Sequence, residues 1–253
     1  LYLHPSRGPS IRRGDYLLVE PPAPVSDYID NYGNRCGRLL APAGPIRFWN
    51  DAVVEDSGQP DDQNPTAEQH EIYALPDATL TFLMPSRYCE VDRMVDLAWQ
   101  LFSTVPKGWA RVQAICDFVH SHITFDYLQA RKTRTAYEAY QERIGVCRDF
   151  THLAVTFCRC LNIPARYCTG YLGDIGVPVT GPMDFSAWFE AYLDGRWYTF
   201  DPRNHAPRIG RVLMAYGHDA ADVALLTSFG PSRLERFTVW TDEVGEEALS
   251  IQP

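Results

Sequence analysis

A cysteine stands at the head of a predicted helix within ERIGVCRDFTHLAVTFCRCL, residues 142–161. Apolar residues follow Cys147 at steps of three and four, which predicts one apolar helix face made of Phe150, Ala154, Phe157 and Leu161. The free N–H groups and positive dipole end of such a helix stabilise a thiolate, and they can also stabilise the oxyanion of an acyl substrate. Gly145 would leave room for a substrate, and Arg148 adds positive charge. The plain alternative is an inert core thiol, which composition alone favours.

A cysteine nucleophile requires a base, and the base requires an orienting carboxylate. In FSAWFEAYLDGRWYTFD, residues 185–201, two aromatic-rich runs flank Asp194-Gly195, which predicts a hairpin with a two-residue turn. In that register Ser186 and Asp201 share one face as diagonal neighbours, about 7–8 Å apart at Cα. Asp201 is therefore the candidate carboxylate, although an aspartate before a proline also simply initiates turns.

The remaining sequence predicts the elements that position these residues. Short β-rich runs in the N-terminal third indicate a small sandwich, with strands in Asp15–Glu20, Val25–Asn31, Arg35–Ala41 and Ile46–Val54. Asp56–Gln69 is acidic and Pro-rich, as is typical of a linker. Helical periodicity follows in Val91–Phe102 and Arg111–Ile123. A short strand in Ile123–Tyr127, a loop and a short helix within Thr133–Glu142, and a strand in Ala165–Leu172 come next.

We therefore divide the chain into a β-sandwich-like domain over residues 1–75, a catalytic domain over 76–241 and an acidic tail over 242–253. The class is α+β, with the cysteine-bearing helix packed on an antiparallel sheet.

The blocks GVCRDF, NIPARYCTGYL and FSAWFEAYLDGRWYTFDPR resemble the transglutaminase-like superfamily over about Tyr88 to Pro231. They resemble its bacterial branch, whose members are often labelled cysteine proteases and begin with a small β domain. The resemblance implies a papain-like core, with Cys147 as nucleophile and Asp201 as the triad carboxylate. The family's hairpin reads His-Ala-Trp where this chain has Ser186, Ala187 and Trp188, so the position of the family histidine is occupied by serine.

Other residues are candidates for the missing roles. A serine hydroxyl has no useful basicity near neutral pH, and His205 is the best-placed substitute base because it lies four residues beyond Asp201. His152 lies about 140° around the helix from Cys147 and is expected to face away. Tyr127 is a candidate oxyanion donor, and Trp188 a candidate wall of the cleft.

Composition excludes several classes of function. The chain has 253 residues and a net charge of −9, and its scattered basic residues argue against nucleic-acid or anionic-membrane binding. No apolar run reaches the ~20 residues of a transmembrane helix. No signal peptide is recognised, and because the chain starts at Leu1, a targeting segment would lie outside it. Seven irregularly spaced cysteines without a CxxC pair indicate a reducing, cytoplasmic setting and no zinc site.

Together these features predict a transglutaminase-like cysteine acyl-transferase or peptide/amide hydrolase acting through a Cys147 thioester. It would need no metal or cofactor and would act on a peptide or protein. The alternatives are a pseudoenzyme that binds a peptide or protein in the cleft, and a scaffold whose β domain mediates assembly. The sequence leaves open the substrate, the choice between protease, amidase, transglutaminase and deamidase, and the oligomeric state.

Overall fold

The computed structural model describes residues 1–178 and 185–245 of the chain. Most of the proposed acidic tail, from residue 246 onward, lies outside the described residues. No helix in the described ranges is both long and apolar enough to cross a membrane.

The N-terminal region consists of three nested antiparallel ladders. Its strands are β1 (Ile11–Arg13), β2 (Leu18–Glu20), β3 (Ser26–Ile29), β4 (Arg35–Arg38), β5 (Arg47–Trp49) and β6 (Val53–Val54). Strand β1 pairs with β6, β2 with β5 and β3 with β4. The predicted hairpin around Tyr32-Gly33-Asn34 is confirmed by the β3–β4 ladder. The Asp30 carboxylate closes its loop by accepting the backbone N–H groups of Tyr32 and Asn34, both at 2.8 Å.

The central region is helical. Its helices are α1 (Asp77–Leu80), α2 (Val91–Phe102), α3 (Trp109–His122), α4 (Ala136–Glu142) and α5 (Cys147–Cys160), joined by short 3-10 turns at Ile72–Ala74, Thr81–Leu83 and Tyr127–Gln129. Helix α2 coincides with the predicted range, and α5 begins at the predicted cysteine. Two short strands, β7 (Thr124–Phe125) and β8 (Ile144–Gly145), pair in parallel ahead of α5.

The C-terminal half supplies a four-stranded antiparallel sheet of order β11-β10-β9-β12. Its strands are β9 (Ala165–Leu172), β10 (Ser186–Leu193), β11 (Arg196–Phe200) and β12 (Arg211–Gly217). The sequence did not predict β12, which pairs with β9. The outer edge of β12 is tied to the N-terminal region, because the His4 N–H donates to the Leu213 carbonyl at 3.0 Å.

Helix α5 is the centre of the core. It contacts α2, α3 and α4 on one side and strands β9 and β10 on the other, and every residue from Asp149 to Cys160 is buried. Burial of its aliphatic and aromatic side chains contributes about 1.5–3 kcal/mol each. The predicted central helix is therefore confirmed, and its first residue is held at the end of a rigid element.

The predicted linker is packed onto the protein surface. Residues 56–71 contain no regular helix or strand, yet their side chains are anchored to the catalytic region. Asp61 pairs with Arg211 at 2.9 Å, and the Asn64 amide donates to the Tyr198 hydroxyl at 3.0 Å. This segment therefore contacts both edge strands of the sheet, β12 through Arg211 and β11 through Tyr198.

Candidate active site

The backbone before α5 is fixed by the parallel strand pair. The Thr124 N–H donates to the Arg143 carbonyl at 2.9 Å, and the Asp126 N–H donates to the Gly145 carbonyl at 3.0 Å. Val146 is extended (φ −113°, ψ 176°) and caps the helix, so Cys147 is its first residue. The Cys147 N–H thus belongs to the first turn, where amides have no partner within the helix.

A buried ion pair clamps this helix start. The carboxylate of Asp149, fully buried, accepts the Val146 N–H at 2.9 Å and a guanidinium N–H of Arg134 at 3.0 Å. Arg134 also donates to Glu142 at 2.9 Å. Gly145 makes this possible: a Cβ there would lie 2.7 Å from the Asp149 Cβ and carboxylate oxygen. Gly145 therefore accommodates Asp149, whereas the sequence had suggested room for a substrate.

The Cys147 thiol is half-buried and packs against a small buried cluster of Tyr167, Ala187 and Val223. Tyr167 and Ala187 lie on the α5-facing side of β9 and β10. Burial, and then the neighbouring Cys147, raise the pKa of Tyr167 well above its usual value, so its hydroxyl keeps its proton. A neutral phenol is thereby presented beside the thiol cluster, and Ala187 of that cluster is the sequence neighbour of position 186.

His152 lies behind this cluster. Its ring stacks on Tyr88 and tilts against Tyr167, each with centroids 5.0 Å apart. Nε2 accepts the Ala220 N–H at 3.1 Å, so the proton is on Nδ1, which is buried without a hydrogen-bond partner. Burial, aided by Arg148 and Arg159, lowers the pKa of His152 well below its usual value. His152 is therefore a neutral core residue, and its contact with Tyr167 places it one ring away from the thiol cluster.

The predicted hairpin is present in the predicted register. Leu193 pairs with Arg196 and Ala191 with Tyr198, which leaves the two-residue Asp194-Gly195 turn. Ser186, the first residue of β10, is half-buried and pairs with Gly170 of β9.

Trp188 is almost completely buried, and the Arg211 guanidinium lies 5.0 Å from its ring centroid. A Cβ at Gly170 would come within 2.8 Å of the Trp188 ring and 2.1 Å of the Val212 carbonyl oxygen. Glycine at 170 is thus needed for both contacts.

Asp201 is buried and its carboxylate is fully engaged. One oxygen accepts the backbone N–H groups of Arg203 and Asn204, at 3.1 and 2.9 Å. The other accepts the Asn204 side-chain amide at 2.7 Å and the Arg211 guanidinium at 2.8 Å. These four bonds account for the usual capacity of a carboxylate.

The substitute base lies among a different set of contacts. The Nε2 atom of His205 is 2.7 Å from an Asp117 carboxylate oxygen, and its ring stacks on His120 at 4.5 Å. Its described contacts are thus with α3, whereas Cys147 packs against the cluster of Tyr167, Ala187 and Val223. Tyr127 begins a short 3-10 turn, half-exposed, with its ring edge-on to Phe125 at 4.9 Å.

Three features of the site were not predicted: the Arg134–Asp149 pair, the Tyr167 hydroxyl and the Tyr88–His152 stack. An aspartate two residues after the helix's first cysteine was a readable sign of N-terminal capping. The other two depend on tertiary contacts. Over the described ranges, no group of three or more His, Cys, Asp or Glu residues could hold a metal ion.

The family model of the transglutaminase-like superfamily matches residues 96–202. A crystal structure from Cytophaga hutchinsonii, named "a Putative Cysteine Protease", is similar with a TM-score of 0.75 and 31% identity, covering 92% of this chain and 83% of that one. The periplasmic domain of TgpA from Pseudomonas aeruginosa gives a TM-score of 0.44 at 18% identity, covering 76% of this chain and 66% of that one. An uncharacterized protein of Mycobacterium leprae is 27% identical over 208 residues, which are 79% of this chain and 74% of the relative. The family model matches the core of the chain, and a solved relative is 31% identical along most of both chains. This protein therefore belongs to the transglutaminase-like superfamily.

Proposed function

We propose that this chain is a cysteine acyl-transfer or peptide/amide hydrolase whose nucleophile is Cys147. One observation carries the proposal: the half-buried thiol lies on the first residue of a rigid, buried helix and packs against the cluster that contains Ala187, the sequence neighbour of the family base position. A thiol at a helix N-terminus is stabilised as thiolate without any histidine.

The reaction follows from this arrangement. The Cys147 thiolate attacks the carbonyl carbon of a carboxamide or peptide, and the oxyanion is stabilised by N–H groups of the first helical turn. The C–N bond then breaks, the amine leaves with a proton taken from solvent water because Ser186 offers no acid near neutral pH, and a thioester remains. Water or a second amine attacks the thioester and regenerates the thiolate. The neutral Tyr167 hydroxyl is available as a hydrogen-bond donor beside the thiol cluster. Tyr127, which the sequence put forward as the oxyanion donor, stays a candidate for that role.

A second candidate is a catalytically impaired protein that binds a peptide or another protein in the same cleft. Three observations favour it. Ser186 offers no base, and the four hydrogen bonds of Asp201 leave no acceptor free to orient one. His205, the substitute base, is itself engaged by Asp117.

Turnover of a matched substrate panel separates the two candidates. We expect release of p-nitroaniline or incorporation of an amine into a glutamine donor by the native chain, and loss of both in Cys147→Ala. Binding of panel peptides without turnover, unchanged in Cys147→Ala, would overturn the enzyme in favour of the binding protein.

We also propose a reducing compartment, the cytoplasm. No disulfide joins the cysteines of the described residues, and five of them are buried: Cys89, Cys116, Cys158, Cys160 and Cys168. Disulfides would be expected in an oxidising compartment. A fractionation that finds the native protein outside the cytoplasm would contradict this assignment.

A further inference from the structure

A cavity opens at the C-terminal end of α5, away from the thiol. It has a volume of about 390 Å³ and lies where the end of α2, the start of α3 and the end of α5 meet residues 69–73. Leu161, which lines it, follows the 14-residue helix that begins at Cys147, and such a helix is about 21 Å long. The cavity is therefore separate from the site described above, and its volume falls within the roughly 300–1,000 Å³ of small-molecule sites.

One wall of the cavity is fixed by hydrogen bonds to the β10–β11 hairpin. The Glu68 carbonyl accepts the Asp194 N–H at 2.9 Å, and the Nε2 atom of His70 accepts the Gly195 N–H at 2.8 Å. Both bonds tie this part of the chain to the two-residue turn. The wall is thus preformed, which lowers the entropy cost of binding.

The charge in the cavity is positive and unpaired. Arg111 lines it and is 4% exposed, and its guanidinium donates to the carbonyls of Val105 and Ser103 at 2.7 and 3.4 Å. Burial lowers the pKa of Arg111, and no carboxylate among the described residues opposes that shift. The helix end beside these carbonyls offsets only about half an elementary charge. The nearby Lys107, by contrast, is neutralised by Glu71 at 2.6 Å.

Two side-chain amides line the same cavity. The Gln69 amide donates to the Leu161 carbonyl at 2.9 Å, which fixes its orientation and leaves its Oε1 atom buried without a hydrogen-bond partner. Asn162 ends α5 in the left-handed conformation (φ 63°), is exposed, and makes no side-chain hydrogen bond within the described ranges. An amide can both donate to and accept from a peptide group, so this end of the cavity suits a ligand that carries one.

Apolar side chains form the remainder of the lining. Leu161 is buried, whereas Trp99, Ile72 and Tyr73 are 40, 47 and 92% exposed. Large apolar side chains that are exposed together beside a cavity mark a binding surface. A ligand with an apolar side chain would cover them.

We infer that this cavity binds the free C-terminus of a peptide whose last residue is large and apolar. The terminal carboxylate would pair with Arg111, the side chain would lie against Trp99, and the peptide group would bond to the amide of Asn162. This inference does not depend on the chemistry proposed for Cys147.

Three small compounds test the three contacts on the native protein. N-acetyl-L-phenylalanine carries the carboxylate, the peptide group and the ring, N-acetyl-L-phenylalaninamide lacks the negative charge, and 3-phenylpropionate lacks the peptide group. By isothermal titration calorimetry we expect the acid to bind about tenfold more tightly than its amide, because hydrogen bonds to charged groups are stronger than neutral ones. 3-Phenylpropionate should bind about threefold to tenfold more weakly than the acid, since it lacks one hydrogen-bonded group.

Variants locate the binding. Arg111→Met should make the acid and the amide bind equally, whereas Trp99→Ala should weaken both and leave their ratio unchanged. The matched control is Arg12→Met, which removes an exposed arginine paired with Glu55 in the N-terminal region and should change neither affinity.

Should Arg111→Met fail to fold, the native protein in about 0.5 M salt replaces it, because screening should bring the ratio of the two affinities towards one. Equal binding of acid and amide by the native chain at low salt, or no binding of either at about 10 mM, would overturn the inference. An acid affinity that is unchanged in Trp99→Ala would place the binding elsewhere and would also overturn it.

Discussion

Arg134 offers the sharpest test of how the helix start is held. Its side chain is 3% exposed and pairs with the fully buried Asp149, which in turn caps Val146. Arg134→Gln would leave the Asp149 charge buried without its principal partner. Breaking a buried pair on one side costs about 3–5 kcal/mol, a third or more of the stability of many domains. The same change should slow alkylation of Cys147, because the first turn of α5 loses its fixed geometry.

Arg131→Gln is the control for this loss, since it removes the same charge and shares the partner Glu142. Arg131 is 42% exposed, so its pairs contribute only about 0–1 kcal/mol. Urea unfolding followed by circular dichroism gives both free energies. The double variant Arg134→Gln with Asp149→Asn should recover part of the loss, because no buried charge is then left alone. If Arg134→Gln destabilises no more than Arg131→Gln, the clamp is not what holds the helix start.

Three further predictions follow from the site. Cys147 should react faster with limiting iodoacetamide than any other cysteine, because burial raises the thiol pKa of each of the other six. Faster labelling of Cys36 in the native protein would refute this. Ser186→His should raise thiol-dependent turnover by about 10²-fold, the lower end of the usual range for general acid–base help because Asp201 is already engaged, and Cys147→Ala should abolish the gain. If Ser186→His changes nothing in an already active protein, another base operates. The free energy of unfolding should fall as the pH drops below about 6.5, by up to ~1.4 kcal/mol per pH unit from His152, because the unfolded imidazole takes up a proton that the buried one does not. Urea titrations at several pH values should show a flatter dependence of this free energy on pH in His152→Gln. The same dependence in the variant and the native protein would contradict this reasoning.

The sequence predicted the elements that carry their own periodicity. The α5 face and the Asp194-Gly195 hairpin follow from local spacing and turn chemistry, so the start of α5 and the pairing of β10 with β11 were both obtained correctly. Strand β12 was missed although Gly210 precedes it, since Arg211–Gly217 contains a continuous apolar run without period-two alternation and is defined by pairing with β9.

What the sequence could not supply was the pairing of distant polar groups. Arg134 and Asp149 are 15 residues apart, and nothing local indicates that the two charges are buried together. Likewise, the role of Arg211 in holding Asp201 depends on how a loop returns to the sheet. Which arginine pairs with which carboxylate is decided by the tertiary structure, so the sequence alone does not predict the ion pairs of the site.

The central claim is that Cys147 accepts an acyl group. The most direct measurement is the mass of the intact protein after brief exposure to an activated acyl ester at neutral pH, quenched in acid, with the adduct located by peptide mapping. The account predicts one added acyl mass on the peptide that contains Cys147, absent from Cys147→Ala and released by hydroxylamine. No adduct on the native chain, or an adduct that persists in Cys147→Ala, would contradict it.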